Sequence, residues 1–597
     1  MNRPAKPLLL VLLLSVSPST WAAVCRVSAD GTAGNDGSTW GLATTLQSAL
    51  ANGNGKSCAE IWVKGGVYKP TSGADRTISF SINRQLKLYG GFAGTEATLA
   101  DRTPATLAAH PSVLSGDIDN NDTVDASGVD VDYQDIIGNN SFHVVVIGGT
   151  TSIGNGVYTP LDTLINGMVI SGGAATGAIA PDNVGGGLYC NGRPAGKVCS
   201  PAISDSSFSG NRAGFGGAIY NVGFAGGTSS PVLSGVLLHG NHADSDGGAI
   251  FNEGNSGTSS PIVSDTSFTD NSAGLDGGAL FNNGYNSGIS SPILSNVGFH
   301  ANSAASSGGA MYNNGDQGGS NPTLNNTEFS GNHATLSGGA MYNFGNLGAS
   351  NPTLTGVSFS GNVASNFCGG AMANIGSGSG GESSPVLDGA TFTGNSANQG
   401  GAMCNSVKVS NGTSSPNVRN ATFSGNSATS TIGGAIYNDL PLVQSGTMNP
   451  TLTNVTFSGN TGANGSVAYN SGPYIYLTLV NAILVKSSSG LFFSTFQNST
   501  MLEHSVVYDT TDVSTCPANA TCTDMHYEDP KLGALADNGG PTWTMLPATD
   551  SVAIDNGDDV SCPSTDQRGI PRPQGSHCDI GAVELSDVIF ANGFQEQ

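Results

Sequence analysis

The sequence contains very few charged residues. Asp, Glu, Lys and Arg make up 10% of its 597 residues, and 19 basic against 43 acidic side chains give a formal net charge of −24. From residue 201 to residue 470 the only Lys and Arg side chains are Arg212, Lys408 and Arg419. So little positive charge cannot neutralise a phosphate backbone, which argues against a nucleic-acid partner. An anionic polysaccharide is equally disfavoured unless metal ions bridge it to the protein.

Long hydrophobic runs are also missing. The main apolar run, from Leu8 to Leu14, follows two basic residues and precedes small ones. This pattern predicts a secretory signal peptide over residues 1–22, because the run is too short to span a bilayer. We therefore expect an exported protein without a transmembrane segment after cleavage.

What the sequence has in abundance is one repeated unit, for example NPTLNNTEFSGNHATLSGGAMYN from Asn321 to Asn343. Two motifs mark it: Phe-x-x-Asn, and Gly-Gly-Ala followed by Ile, Leu or Met (Gly187 replaces the alanine in the first copy). The first motif begins at Phe208, Leu238, Phe268, Phe299, Phe329, Phe359, Phe392, Phe423 and Phe457. The second begins at Gly185, Gly216, Gly247, Gly277, Gly308, Gly338, Gly369, Gly400 and Gly433. A fixed period of this length is typical of stacked units that share one continuous core.

The repeat predicts an all-β fold, a right-handed parallel β-helix with about 30 residues per coil. Its apolar residues alternate with period 2 in three short runs, which indicates three strands per coil separated by bends. Like residues of successive coils should then form inward ladders of Phe and Asn. We expect Asn to occupy a left-handed bend and to bond to the next coil through its amide. The central members of the two ladders are Phe268, Phe299, Phe329, Phe359, Asn271, Asn302, Asn332 and Asn362.

The rest of each unit is rich in Gly and Ser, as from Asn252 to Pro261, and is expected to be a surface loop. One segment, from Leu42 to Ala51, has the pattern of an amphipathic helix. Such a helix would cap the open end of the first coil. The predicted organisation is a signal peptide (1–22), a cap with early coils (23–180), the repeat β-helix (181–470), last coils (471–527), a terminal domain (528–585) and a tail (586–597).

The two repeat motifs resemble those of the polymorphic membrane protein family of bacterial surface proteins, over about residues 185–470. The resemblance implies a β-helix displayed at the cell surface, often as an adhesin. The early coils resemble the N-terminal part of extracellular β-helix proteins of the pectate-lyase-like class.

Residues 528–584 resemble the choice-of-anchor Q domain. The match is carried by Asp537-Asn538-Gly539-Gly540, Asp566-Gln567-Arg568-Gly569 and Asp579-Ile580-Gly581-Ala582, together with Asp555, Arg572 and Glu584. The resemblance implies a role before an envelope-attachment segment. Physically, two arginines among four carboxylates predict an ion-pair network that shapes the last coil.

Ten cysteines in an exported chain predict disulfides. Sequence proximity suggests the pairs Cys25–Cys58, Cys190–Cys199, Cys516–Cys522 and Cys562–Cys578. Cys368 and Cys404 lie five repeat positions apart on neighbouring coils, which is far for a bond. We expect two unpaired, partly buried thiols there; the alternative is a local distortion that joins them.

Residues 117–125 form the densest oxygen cluster of the chain. Carboxylate and amide oxygens at alternating positions can surround Ca²⁺, although the spacing does not follow the EF-hand pattern. The candidate ligands are Asp117, Asp119, Asn121, Asp122 and Asp125. The alternative is a solvated polar loop that binds no metal. No other cofactor is required by the sequence.

Catalysis is a third question, because a hydrolase needs carboxylates at a defined separation on one wall. Asp246 and Asp276 precede Gly-Gly on adjacent coils and should be stacked neighbours, with Asp244 nearby. A lyase would also need cations, which the repeats nearly lack.

The leading hypothesis is an exported surface protein that acts in adhesion or as a structural rod, with a carbohydrate or a host or cell-envelope component as its ligand. The alternatives are a polysaccharide-degrading enzyme and carbohydrate binding without catalysis.

Overall fold

Each repeat forms one coil of a parallel β-solenoid. The computed structural model describes residues 23–51, 58–148, 163–441, 445–486, 490–494, 499–509 and 515–585. The predicted signal peptide and tail lie outside these residues. Three sheets run along the solenoid, with 28, 9 and 13 strands, and are called sheets A, B and C here.

Sheet A contains two strands from most coils. Its strands are Ala23–Val27, Cys58–Lys64, Gly66–Tyr68, Lys87–Phe92, Ser112–Ser115, Leu164–Asn166, Met168–Ser171, Ala202–Ser204, Ser207–Ser209, Val232–Ser234, Leu237–His239, Ile262–Ser264, Ser267–Thr269, Ile293–Ser295, Gly298–His300, Thr323–Asn325, Glu328–Ser330, Thr353–Thr355, Ser358–Ser360, Val386–Asp388, Thr391–Thr393, Asn417–Ser424, Thr451–Ser458, Tyr476–Val480, Ile483–Val485, Ser499–Glu503, Val506–Tyr508 and Ala520–Thr523.

Among the described residues, sheet C contains one strand from each of 13 coils, and sheet B contains one strand from nine of those coils. The strands of sheet B are Ala174–Ala175, Arg212–Ala213, His242–Ala243, Ser272–Ala273, Ser303–Ala304, His333–Ala334, Val363–Cys368, Ser396–Gln399 and Ser427–Ile432. The strands of sheet C are Phe80–Ile82, Val145–Ile147, Leu188–Asn191, Ile219–Val222, Ile250–Glu253, Leu280–Asn283, Met311–Asn314, Met341–Asn346, Met372–Ser377, Met403–Val409, Ile436–Asp439, Ala468–Ser471 and Phe492–Ser494.

The assignment of strands within a coil differs from the sequence prediction. The run that contains the Leu position and the run that contains Phe are two strands of the same sheet, separated by a left-handed residue such as Asp265 (φ 50°). The alanine after each Asn lies in a strand of its own in sheet B, as at Ala273. A typical repeat coil therefore has four short strands in three sheets, rather than three.

The phenylalanine ladder forms the centre of the core. Phe268, Phe299, Phe329 and Phe359 pair in register in sheet A and are fully buried. Their ring centroids are 4.7 to 4.9 Å apart, which is the strand spacing itself. Stacking thus continues through the repeats without a change of register.

Asparagine forms two buried ladders, but not by occupying the left-handed bend. In the ladder that contains Asn271 and Asn332, the left-handed residue is the one before the Asn, as at Asp270 (φ 54°) and Gly331 (φ 62°). The Asn332 side chain donates to Oδ1 of Asn362 at 2.9 Å and to the carbonyl of Phe299 at 2.9 Å. The expected bend role of Asn was wrong, because its amide is needed inside the coil to pair main-chain and side-chain groups of neighbouring coils.

The Gly/Ser loops are not wholly at the surface. The first serine of each Ser-Ser-Pro segment, such as Ser259 and Ser290, is fully buried. Ser290 Oγ donates to the carbonyl of Ser259 at 3.0 Å, so a third polar ladder closes the coil. Because Ser is common in exposed loops, sequence composition alone did not reveal this ladder.

The predicted capping helix is present but shorter, at Leu46–Leu50. The Thr45 side chain accepts from the N–H of Ser48 and begins the helix, while Leu46, Ala49 and Leu50 join the core at the first coil. A second helix, Pro104–Ala109, and the 3₁₀ turns Trp40–Leu42, Leu99–Asp101 and Tyr133–Asp135 were not predicted. Among the described residues no helix has the length and apolar character needed to cross a membrane.

The C-terminal lobe, residues 528–585, packs on the outer face of sheet A rather than forming a last coil. Asn454 Nδ2 donates to the carbonyls of Asp579 (3.0 Å) and Gly581 (3.2 Å). Gln567 Nε2 donates to Thr391 Oγ1 at 2.7 Å. The lobe folds back over earlier coils, and the expected ion pairs, Arg568–Asp566 and Arg572–Glu584, lie within it and do not shape a last coil.

Five disulfides link the ten cysteines: Cys25–Cys58, Cys190–Cys199, Cys368–Cys404, Cys516–Cys522 and Cys562–Cys578. Four of these are the pairs expected from proximity. The expectation of free thiols at Cys368 and Cys404 was wrong, since their Cα atoms are 5.6 Å apart. The prediction counted five repeat positions as if they lay along one straight strand. The chain bends at Gly369 (φ 74°), directly after Cys368, and this bend brings Cys368 close to Cys404 on the next coil.

Candidate functional site

The bend between sheets B and C brings two rows of side chains together on the outside of the solenoid, and we call the strip between these rows the corner groove. One side is the corner row, made of the residues that precede six of the nine Gly-Gly pairs: Asp246, Asp276, Ser307, Ser337, Cys368 and Gln399. The other side is the aromatic row, made of outward-facing residues of sheet C: Tyr189, Tyr220, Phe251, Phe281, Tyr312 and Tyr342.

The bend itself requires glycine. The first glycine of each pair is left-handed, as at Gly277 (φ 65°), and the second has no room for a side chain. A Cβ added at Gly278 would collide with the carbonyl oxygens of Gly309 and Ser303. The close approach of two coils at this point sets the sharp angle that brings the two rows together.

The aromatic row is a continuous stack. Successive centroids from Tyr189 to Tyr342 lie 4.8 to 6.2 Å apart, with interplanar angles of 7° to 26°. Each ring inside the stack therefore has both faces covered by its neighbours. Only an interruption of the row can present a ring face to a ligand.

Such an interruption occurs on the coil that follows Tyr342. Ala373 and Cys404 occupy the next two ring positions, and the row resumes at Tyr437. A pocket of about 490 Å³ opens there. Its lining includes both tyrosines, the Cys368–Cys404 pair and Phe367, whose side chain is 58% exposed.

Polar groups line the same pocket. Ser307, Ser337 and Gln399 contribute from the corner row, and Ser406, Lys408 and Asp439 lie on the opposite side. Burial raises the pKa of Asp439, while hydrogen bonds from Ser471, Tyr437 and Ser406 oppose that effect. The site thus combines an apolar floor with a small number of hydrogen-bonding groups, which is typical of sites for small ligands and chain segments.

The acidic pair of the corner row lies further along the groove. The N–H of Asp276 donates to Oδ1 of Asp246 at 3.1 Å, and the N–H of Ser307 donates to Oδ1 of Asp276 at 2.8 Å. Burial, together with the charge of Asp276, raises the pKa of Asp246 to about 6. Burial also raises the pKa of Asp276. Each carboxylate therefore accepts a hydrogen bond from the bend of the next coil, and each has a raised pKa.

Asp244 is engaged elsewhere. Its Oδ1 lies 2.8 Å from Arg212 Nη2 and 3.4 Å from His242 Nε2. His242 in turn stacks on Tyr133, with 4.2 Å between the ring centroids. The sequence predicted one group of three aspartates. In the structure Asp246 and Asp276 are hydrogen-bonded to each other, whereas Asp244 forms an ion pair with Arg212.

The five candidate calcium ligands use their oxygens separately. Asp117 binds Lys69 Nζ at 2.9 Å, Asp119 accepts from the N–H of Asn139 and from the Asn121 amide, and Asp125 accepts from the N–H of Ser127. Asp122 accepts from the Asn140 amide, and Asp117, with 5% of its surface exposed, is more deeply buried than Asp122. Within the described part of the chain, no group of three or more His, Cys, Asp or Glu side chains is arranged to hold a metal.

Comparison with known proteins finds repeats of a named family in this chain. Residues 205–222, 265–283 and 420–439 match the Chlamydia polymorphic membrane protein repeat. Each match spans strands that flank the corner groove or the core. The chain therefore carries polymorphic membrane protein-type repeats on a parallel β-solenoid.

Three solved structures share broad similarity at low identity. Pectate lyase Pel9A is 12% identical, with a TM-score of 0.26 over 94% of this chain and 96% of that one. A tailspike mutant of E. coli bacteriophage HK620 in complex with pentasaccharide is 12% identical, with a TM-score of 0.30 over 81% and 74%. PfbA, a surface adhesin of Streptococcus pneumoniae, is 10% identical, with a TM-score of 0.26 over 84% and 95%. No curated protein sequence matches the chain.

Proposed function

We propose that the protein is an exported, surface-associated adhesive rod that binds a neutral glycan chain in the corner groove. The observation that carries this proposal is the interrupted aromatic row. Tyr342 is covered by Tyr312 on one side; on the other its neighbour is Ala373, so the ring is not stacked there and lines the pocket with 6% of the residue exposed. A sugar ring offers C–H groups to such a face and hydroxyls to the polar groups around it.

Charge favours a neutral ligand over an anionic one. The net charge of the chain is −24, and among the described residues that line this pocket Lys408 is the one Lys or Arg. An anionic polymer would be repelled at long range, whereas a neutral glycan is insensitive to this field. Binding should accordingly change little between 50 and 500 mM salt.

The proposal can be tested by closing the pocket with residues that the repeat itself uses. Serine occupies the Cys368 position at Ser307 and Ser337, and tyrosine occupies the Cys404 position at Tyr342 and Tyr437. The double variant C368S/C404Y should therefore fold and fill the gap. The matched control C368S/C404A also lacks the disulfide but leaves the gap open.

The measurement is binding of the full chain to immobilised neutral plant, host and bacterial polysaccharides, with polygalacturonate as the anionic comparison. We expect the control to bind a neutral glycan and C368S/C404Y to lose at least tenfold in affinity. Equal binding by the two variants, or a preference for polygalacturonate, would contradict the proposal.

Polysaccharide hydrolysis is the second candidate, and it rests on the Asp246–Asp276 pair. A carboxyl whose pKa is raised to about 6 can act as a general acid near neutral pH. Release of reducing ends from a bound glycan, lost in D246N and in D276N but kept in D244N, would assign catalysis to the pair. Binding without release would leave adhesion as the function.

A further inference from the structure

The loop from Asp117 to Asn140 lies against the outside of the solenoid. Its ends pair as an antiparallel bridge between Asp117 and Asn140. The N–H of Tyr133 donates to the carbonyl of Gly240 at 3.0 Å. The loop therefore reaches across several coils, and its centre must be attached to them.

Asp130 provides that attachment. It is completely buried, and its carbonyl accepts from Ser209 Oγ at 2.9 Å. Its carboxylate accepts from Ser171 Oγ at 2.9 Å. A Cβ at Gly172 would collide with this carboxylate, so the left-handed glycine leaves just enough space for it (φ 67°).

A second carboxylate and an amide meet Asp130 at this point. Asp122 lies beside Asp130, near enough for the charge of each carboxylate to act on the other. Asn140 Nδ2 lies 2.6 Å from Asp122 Oδ2 and 2.6 Å from the carbonyl of Gly172. Neither carboxylate forms an ion pair within 4.0 Å with another described residue; Lys69 binds Asp117 instead.

Two oxygens of this cluster are buried without a hydrogen-bond partner. They are Oδ1 of Asp130 and Oδ1 of Asn140, and both residues have no exposed surface. The amide nitrogen of Asn140 donates to Asp122 Oδ2 and to the carbonyl of Gly172, and the amide oxygen is the atom left without a partner. A buried acceptor without a donor is costly, and two beside a pair of carboxylates indicate a missing cation.

We propose that Asp122, Asp130 and Asn140 bind a calcium ion that fastens the 117–140 loop to the solenoid. Carboxylate and amide oxygens are the donors that Ca²⁺ prefers, and its flexible coordination admits backbone carbonyls and water as further ligands. Asp122 is partly exposed and gives the ion a route from solvent. The site differs from the five-residue loop expected from sequence, sharing only Asp122 with it.

Terbium luminescence, with calcium as competitor, tests the site in the unaltered full chain. We expect terbium to bind and calcium to displace it with a Kd of about 10⁻⁴–10⁻³ M, the range of extracellular calcium modules. Calcium should also raise the Tm over that in EDTA and protect residues 120–139 from proteolysis. Absence of terbium binding to the wild type would overturn the proposal without recourse to any variant.

Variants locate the ion. D130N and N140A should each weaken calcium binding at least tenfold. D125N is the matched control, because Asp125 lies in the same loop and contacts the backbone N–H groups of Ser127 and Val129. If D125N lost calcium and D130N kept it, the ion would belong to the outer loop and the assignment to Asp130 would be wrong.

Discussion

Oδ1 of Asp246 accepts the backbone N–H of Asp276 at 3.1 Å, so a carboxylate of one coil holds the bend of the next. Because the pKa of Asp246 is raised from 3.8 to about 6, the folded protein takes up a proton that the unfolded chain releases. The contribution of Asp246 to stability therefore grows as the pH falls from about 6 to about 4.

We expect D246N to remove this contribution. Between pH 4 and pH 7 the Tm of the wild type relative to D246N should rise as the pH falls, and the difference should be constant above pH 7. Calorimetry at half-unit intervals measures it. S337A serves as control, since Ser337 occupies the same repeat position on a later coil and carries no titratable group. Superimposable profiles for wild type and D246N would show that Asp246 titrates normally.

The phenylalanine ladder should be sensitive to truncation of a single side chain. Phe329 is completely buried between Phe299 and Phe359, so F329A should reduce the free energy of unfolding by about 3–5 kcal/mol through cavity formation. Urea denaturation followed by circular dichroism measures this loss. L275A is the control, because the Leu275 side chain is 51% exposed and its removal should have little effect. Equal midpoints for the two variants would place Phe329 outside the core.

The Cys368–Cys404 disulfide should be detectable chemically. Non-reducing peptide mapping of the purified protein should recover the two cysteines in one linked peptide. The variant C368S/C404S should lose about 2–4 kcal/mol, since the bond closes a loop with a sequence separation of 36 residues. Q399A, at the next position of the corner row, should change stability much less. Alkylation of either cysteine in the unreduced protein would contradict the assignment.

The C-terminal lobe should depend on its buried ion pair. Arg572 Nη1 lies 2.9 Å from Glu584 Oε2, and both side chains are fully buried. R572M would leave the carboxylate uncompensated, at a cost of about 3–5 kcal/mol. Limited proteolysis should then cleave within residues 528–585 while the repeats stay intact. K531M, which removes a surface pair with Asp550, should keep the wild-type pattern. A fully protected R572M lobe would mean that docking on Asn454 and Gln567 suffices.

Periodicity in the sequence was enough to predict the solenoid and its ladders. A residue that recurs every 30 or 31 positions must stack on its own copies, so Phe299 over Phe329 and Asn302 over Asn332 follow from counting. The capping helix and four disulfides followed from equally local signals. The buried serine ladder at Ser259 and Ser290 was missed, because its composition is that of an ordinary loop.

The sequence by itself determined which ladder or row (here called a column) each repeated residue belongs to. Only the tertiary structure decided how the columns face one another, because the angle of the Gly-Gly bend is not encoded in the period. That angle joins Cys368 to Cys404 and opens the pocket beside Tyr342. In the same way, Asp130 met Asp122 and Asn140 only once a non-repeating loop had folded onto Gly172. Contacts between different columns, and between loops and coils, therefore carry the candidate functions of this protein.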